Sequence, residues 1–358
     1  MTPEQVQLIA FYLPQFHRTP ENDLHWGPGY TEWTCAARAT PRFPGHYQPH
    51  RPGELGFYDL RVPETRQEQA DLARSHGISG FAYYHYWFQG TRLLWRPFQD
   101  VLDSGRPDFP FCLVWANEPW TRSWDGHAHD IIIPQTYSPE DDLAHIRSLL
   151  PALDDPRCIR VDGRPLFVVY RTDHLPDPRR TADIWRTEAL RAGLGELYLA
   201  EVESFTSGID PATLGFDAAV EFAPDWRLLD ACRLGAGERP AAPETDQFYD
   251  YGRMAAAMLA KPAPAYELFR GVFPSWDNSP RRKDQATIFL NATPERYADW
   301  LAAAVAQTVL RHPPGRRLVF VTAWNEWGEG NHLEPDERHG RAWLEATRQG
   351  LARGCGQK

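Results

Sequence analysis

Cysteine is sparse and scattered in this chain. The five residues Cys35, Cys112, Cys158, Cys232 and Cys355 are odd in number and form no CxxC pair or Cys/His cluster, so neither a disulfide framework nor a zinc ribbon is indicated. No HExxH, closely spaced His/Asp triplet or acidic calcium loop occurs, which leaves no metal expected at the site and disfavours metal-dependent chemistry. No GxGxxG leads from a strand into a helix and no GxxxxGK[ST] is present, so no nucleotide cofactor is expected. Apolar runs stay short of the roughly 18 residues that cross a bilayer, and the opening Met1-Thr2-Pro3-Glu4-Gln5 lacks the basic and apolar regions of a leader. The expectation is a cytoplasmic protein without membrane insertion.

Basic charge is also in deficit, with 38 Lys and Arg against 48 Asp and Glu, a net charge of -10. Nucleic acid is excluded as the expected partner, because affinity for it comes mainly from cations on phosphates. Aromatic residues, by contrast, are plentiful at 13%, with 14 Trp and 14 Tyr, many beside Asn, Asp, Glu or Gly. Sugar sites have this composition: pyranose C–H faces stack on flat rings while hydroxyls need carboxylates and amides. An oligosaccharide or polysaccharide is the expected partner, although for any one Trp a place in the core is an equal alternative.

Short Val-, Ile-, Phe- and Tyr-rich runs alternate with amphipathic, capped stretches, the pattern of parallel strands joined by crossover helices. About eight strands are expected, at 7–13, 78–84, 111–116, 166–170, 197–201, 218–222, 270–274 and 318–324. Helices are expected from Pro63 to Gly77, from Ser138 to Leu150 and from Thr293 to His312. The stretches 40–57 and 234–250 read as long loops. With no internal repeat or compositional break, the whole chain 1–358 is expected to form one (β/α)8 barrel of the α/β class, with its site at the C-terminal ends of the strands.

Polar-aromatic clusters follow several of those ends: Pro14-Gln15-Phe16-His17, Tyr84-His85-Tyr86-Trp87, Asn117-Glu118-Pro119-Trp120, Ser275-Trp276-Asp277-Asn278 and Asn325-Glu326-Trp327. Cleaving or transferring a glycosidic bond needs one group to protonate the leaving oxygen and another to assist across the anomeric carbon. Glu326 and Glu329 fit that pair. Gly328 and Gly330 permit a sharp backbone path that turns both inward, and Trp324 and Trp327 supply an apolar wall that raises a carboxyl pKa. The bland reading is that both glutamates solvate a loop and cap a helix. Glu118, Glu201, Glu203 and Glu221 form a second acidic set at strand ends, His85 reads equally as a sugar ligand or a core histidine, and Arg281-Arg282-Lys283 could receive a phosphate or an anionic sugar, with a solvated basic turn as the default.

Several long segments in order resemble the WbsX-type proteins, a glycoside hydrolase family 99-like group: Ala10 to His17, Gly29-Tyr30-Thr31-Glu32-Trp33, Gly45 to Pro49, Tyr83 to Phe88, and Trp324 to Gly330. What the resemblance implies is a family 99-like barrel and the retaining mechanism of the related endo-α-mannosidases. There Glu326 would take the proton of the sugar's own 2-hydroxyl, whose oxygen attacks C1 to give a 1,2-anhydro sugar. Glu329 would protonate the departing oxygen and then activate water or an acceptor. Trp26, Tyr84, His85, Asn117, Glu118, Trp276 and Asn325 would shape the sugar sites. Gly328 stands where the mannosidases carry His, and Pro119 where many WbsX-type relatives carry Asn. Three readings are open at this point: retaining cleavage or transglycosylation of an α-linked surface polysaccharide, a glycosyltransferase of O-antigen or capsule assembly, and a catalytically silent glycan-binding protein.

Overall fold

A computed structural model describes residues 6–122 and 127–356. The expectation about a leader rests on residues 1–5, which lie outside the described set. Eight parallel strands close on themselves: β1 (Gln7–Tyr12), β2 (Ile78–Phe88), β3 (Phe111–Trp115), β4 (Arg164–Val169), β5 (Tyr198–Glu203), β6 (Ala218–Glu221), β7 (Leu268–Val272) and β8 (Leu318–Val321). Each pairs in parallel with its sequence neighbours, and β1 pairs with both β2 and β8, so no barrel edge is left open. The expected strands are all present.

Around them run α1 (Pro63–Ser75), α2 (Arg96–Ser104), α3 (Pro139–Asp154), α4 (Pro178–Arg191), α5 (Tyr251–Leu259), α6 (Pro294–Arg311) and α7 (Ala342–Gly354). Between β5 and β6 the crossover helix is replaced by a single 3-10 turn, Pro211–Leu214. The helix starts follow from the sequence: Ser138 and Thr293 each cap the backbone N–H three residues on, with Pro at the first helical position. No described helix is long and apolar enough to cross a membrane.

Alternation along the strands builds two layers of core. In β1, Ile9 and Phe11 point into the barrel, where they join Ala82, Val114, Val168 and Phe320, while Leu8, Ala10 and Tyr12 pack outward beneath the helices. At the top of the barrel Phe11 stacks on Tyr84 with ring centroids 5.6 Å apart, which floors the opening above it.

Two features depart from expectation. Strand β2 continues past Tyr84 to Phe88 and turns back antiparallel onto Thr91–Leu93. The stretch 234–250 also ends in a strand, Gln247–Asp250, paired in parallel with Thr287–Leu290. Short length and polar flanks hid both from a pattern reading.

The carboxylate of Glu334, fully buried, ties the top of the barrel together. It accepts from Gln69 Nε2 of α1 at 2.6 Å, Tyr58 Oη at 2.8 Å and Trp327 Nε1 at 2.6 Å. Burial pushes its pKa up to about 7, against the pull of those donors. Replacing it strands three buried donors, so Glu334→Ala is expected to lower the unfolding free energy by roughly 3 kcal/mol in denaturant titration. Asp299→Ala, which breaks an exposed pair with Arg353, is expected to change it by less than about 0.5 kcal/mol.

Candidate active site

Above the barrel mouth lies a cavity of about 500 Å³, within the range of ligand sites. Aromatic rings make up nearly half of its lining, among them Trp26, Tyr84, Tyr86, Trp120, Trp226 and Trp276, with Glu118, Glu326 and Glu329 as its acids. Trp226 and Trp276 meet edge to face at 5.0 Å, and their buried indole N–H groups have no partner among the described residues.

The centre of the cavity is a cation. Arg281 Nη2 lies 2.6 Å from Glu326 Oε2 and 2.7 Å from Glu32 Oε1, its Nε 2.9 Å from the same Glu32 oxygen, and its Nη1 2.7 Å from Glu329 Oε1. Three carboxylates therefore share one planar guanidinium, whose fork matches several acceptors at once. Glu326 and Glu329 face the same cavity and the same cation.

One positive charge cannot offset three negative ones in a desolvated site. Burial raises the pKa of Glu326, Arg281 opposes the rise, and the neighbouring charges of Glu329 and Glu32 add to it. Glu329 is raised by burial as well, with Arg281 opposing and Glu32 adding. Both glutamates are thus pushed toward the protonated form while facing one cation in one cavity.

Local sequence explains how this geometry is held. Glu326 sits on a two-residue strand, Asn325–Glu326, paired antiparallel with Asn331–His332, and a 3-10 turn, Trp327–Glu329, brings Glu329 round. Gly330 closes that turn at φ +57, the left-handed region that Gly adopts without cost. Gly328 has a different job. A Cβ there would stand 2.0 Å from Glu32 Oε1 and 2.7 Å from Arg281 Nε, and its N–H donates to Glu32 Oε1 at 3.0 Å. Its missing side chain admits the Glu32–Arg281 pair.

Arg281 in turn sits on a 3-10 turn, Ser279–Arg281, that both long loops brace. Arg42 of the 40–57 stretch donates to the carbonyls of Ser279 and Arg282 and pairs at 2.7 Å with Asp246 of the 234–250 stretch. Asp246 also accepts the Ala286 N–H at 3.0 Å.

Of the expected sugar-site residues, Trp26, Tyr84, Glu118 and Trp276 line the cavity and His85, Asn117 and Asn325 do not. Strand alternation explains the first absence. Tyr84 and Tyr86 face inward, so His85 points behind the barrel, where its Nε2 lies 3.0 Å from His145 of α3. Asn117 is a backbone staple, accepting from Arg171 N at 2.8 Å and donating to Arg171 O and Tyr137 Oη. Asn325 likewise exchanges hydrogen bonds with the Leu13 backbone at 2.8 and 3.0 Å. Glu118, at the rim, is paired with Arg171 at 2.5 Å.

The expected wall of Trp324 and Trp327 also lies elsewhere. Trp324 packs on Phe81 in the outer core, and Trp327 lies between Trp33 and His332. Tyr84 and Tyr86 take that place in the cavity. Among the second acidic set, Glu201 accepts from Thr172 at 2.5 Å, Glu203 from Tyr266, and Glu221 pairs with Lys261 at 2.8 Å, all outside the cavity lining. Arg281 and Glu32 were missed as site residues. The signal for Arg281 was its closeness to the Ser275–Asn278 cluster, and for Glu32 its place in a long shared motif.

The family model described as "Glycosyltransferase WbsX" matches residues 8–347. The chain belongs to the WbsX glycosyltransferase family. Two curated relatives, both the "Uncharacterized protein WxcX" of Xanthomonas campestris pv. campestris (strains B100 and ATCC 33913), are 47% identical over 347 residues, 97% of this chain. The WbsX-family chain spans about half their length, 50% of each. Among solved structures, two of the GH99 endo-alpha-mannosidase from Bacteroides thetaiotaomicron give TM-scores of 0.57 and 0.59 at 16% identity, covering 97% of each chain. A glycoside hydrolase-like protein gives 0.58 at 14% identity over 97% of this chain and 94% of that one. At such identities the likeness is one of fold, and it matches the closed barrel described above.

Gly328→Ala tests the role given to that position. The new methyl forces Glu32 and Arg281 apart, and the expected outcome is a loss of about 1–3 kcal/mol in unfolding free energy, read by thermal or denaturant unfolding.

Proposed function

We propose that this WbsX-family chain is a retaining carbohydrate-active enzyme that cleaves or transfers an α-linked glycan through a 1,2-anhydro sugar. One observation carries the reading: two glutamates with raised pKa share one buried guanidinium in a cavity rich in aromatic rings. The resemblance of the segment Trp324 to Gly330 to the family 99-like motif supports the following order of events.

In the first step Glu326 takes the proton of the 2-hydroxyl as O2 attacks C1. The C1 bond to the leaving oxygen breaks, and Glu329 supplies the proton which that oxygen needs. In the second step Glu329, now a carboxylate, takes a proton from water or an acceptor hydroxyl as its oxygen opens the three-membered ring at C1. Glu326 returns the proton to O2. Two inversions give retention, and the chemistry requires a 2-hydroxyl trans to the leaving group, as in α-mannosides.

Burial and the neighbouring carboxylates raise the pKa of Glu326, the assigned base, as well as that of Glu329. The assigned order needs the proton on Glu329 when sugar is bound, with the 2-hydroxyl donating to Glu326. Tyr84, Tyr86, Trp26 and Trp276 would supply stacking faces, and Glu118 a rim acceptor once Arg171 releases it. A transferase reading in the same pocket is favoured by the family's description; it differs in using an activated donor, with an acceptor hydroxyl in place of water.

The test supplies α-mannosyl oligosaccharides and bacterial surface polysaccharides, and separately sugar nucleotides with acceptors, to wild type, Glu326→Gln and Glu329→Gln. Expected is turnover with retained anomeric configuration, reduced at least about 10²-fold in each variant. Because both carboxyls are raised, the acidic limb of the rate profile is expected above the ordinary glutamate range: activity falls as pH drops and both groups are protonated. Turnover untouched by both substitutions contradicts the mechanism. Turnover with nucleotide donors only supports the transferase, and glycan binding without turnover supports a binding protein.

A further inference from the structure

On the far side of Trp276 from the main cavity lies a second one, of about 230 Å³, whose wall carries His46, His50, His332, Asp336 and His339. Three of these converge. One donor atom each from His50, His332 and Asp336 lie within 4.8 Å of one another, and all three side chains are buried.

The tautomer of one ring is fixed by its surroundings. His332 Nδ1 lies 2.9 Å from the Glu334 carbonyl, which only accepts, so that nitrogen carries the proton and Nε2 presents a lone pair. That lone pair points at His50 Nδ1, 2.9 Å away. Such a backbone-anchored imidazole is the usual arrangement of a metal-ligating histidine. His332 is further locked by stacking on Trp327 at 3.7 Å, and His50 by stacking on Tyr47 at 4.2 Å. Asp336 has its own support, accepting from the His339 backbone N–H at one oxygen and lying 3.2 Å from the His339 ring at the other. The cavity gives the cluster an entry path and space for water at the remaining positions.

We propose that His50, His332 and Asp336 bind one divalent transition-metal ion of the zinc class, which braces the hairpin carrying Glu326 and Glu329. Two imidazoles and one carboxylate form a borderline set that suits zinc and its first-row neighbours rather than magnesium or calcium. Bonds of about 2.1 Å in tetrahedral geometry separate ligands by roughly 3.4 Å, so the two rings need move apart by about half an ångström from 2.9 Å. The site cross-links residues 282 apart in sequence, which is why spacing motifs did not show it. His332 is paired directly with Asn325, and Asn331 with Glu326, so an ion on His332 steadies the strand that carries Glu326. The ion takes no part in the chemistry. Trp276 separates its cavity from the one holding Arg281.

The test uses the full chain, free of any affinity tag and stripped with chelator, titrated with Co²⁺ followed by its d–d absorption and with Zn²⁺ followed by calorimetry and thermal unfolding. Expected are saturation at one equivalent, a rise in Tm on loading, and no response to Mg²⁺ or Ca²⁺. His50→Gln and Asp336→Asn should each weaken binding by more than about tenfold, and His339→Gln by less. Absence of a d–d band and of any Tm change at millimolar Co²⁺ or Zn²⁺ in the wild type overturns the site and leaves a hydrogen-bonded histidine pair. Binding in both ligand variants equal to wild type overturns it too.

Discussion

One guanidinium among three carboxylates is the constraint on which the site depends. Without Arg281, Glu32, Glu326 and Glu329 would place like charges in a desolvated pocket, and Glu326 and Glu329 would resist ionisation further. With it, the group keeps a residual negative charge that a shared proton relieves. That balance raises both glutamates above the ordinary carboxylate range. It also fixes their positions, because a forked cation holds oxygens in a plane where a flexible ammonium would not.

Much of the remaining architecture serves that cation. Gly328 gives up its side chain so that Glu32 and Arg281 can approach the backbone. The loops 40–57 and 234–250 look unrelated in sequence, yet Arg42 and Asp246 meet and together fasten the turn that presents Arg281. On the opposite side of the hairpin, Glu334 and His332 hold Trp327, and through it the turn between the two glutamates. The barrel beneath contributes rigidity: its strands are paired on both sides all the way round, and the Phe11–Tyr84 stack closes its upper end.

The barrel was legible in sequence because buried parallel strands read as continuous apolar runs and their helices open with clear caps, as at Ser138 and Thr293. The catalytic candidates were legible because the motif from Trp324 to Gly330 is long and falls at a strand end. Failures were failures of side and partner. His85 flanks two inward tyrosines and so must point outward, a consequence of the two-residue period that became visible only once β2 was seen to continue past Tyr84. Asn117 and Asn325 stand beside site residues but spend their amides on backbone. Arg281 was hidden in the basic run Arg281-Arg282-Lys283, since sequence offers no sign that one of three adjacent cations is buried. Its carboxylate partner Glu32 lies 249 residues away.

The most direct test of the charge balance needs no substrate. A difference infrared titration of the protonated-carboxyl band, assigned by its loss in Glu326→Gln and Glu329→Gln, would follow the pair in wild type, Arg281→Met and Arg281→Lys. The account predicts a band that persists above the ordinary glutamate range in wild type. It should move upward by roughly a pH unit or more in Arg281→Met, where the cation that lowers both pKa values is gone, and by less in Arg281→Lys. A band that titrates in the ordinary range and is indifferent to Arg281→Met would contradict it.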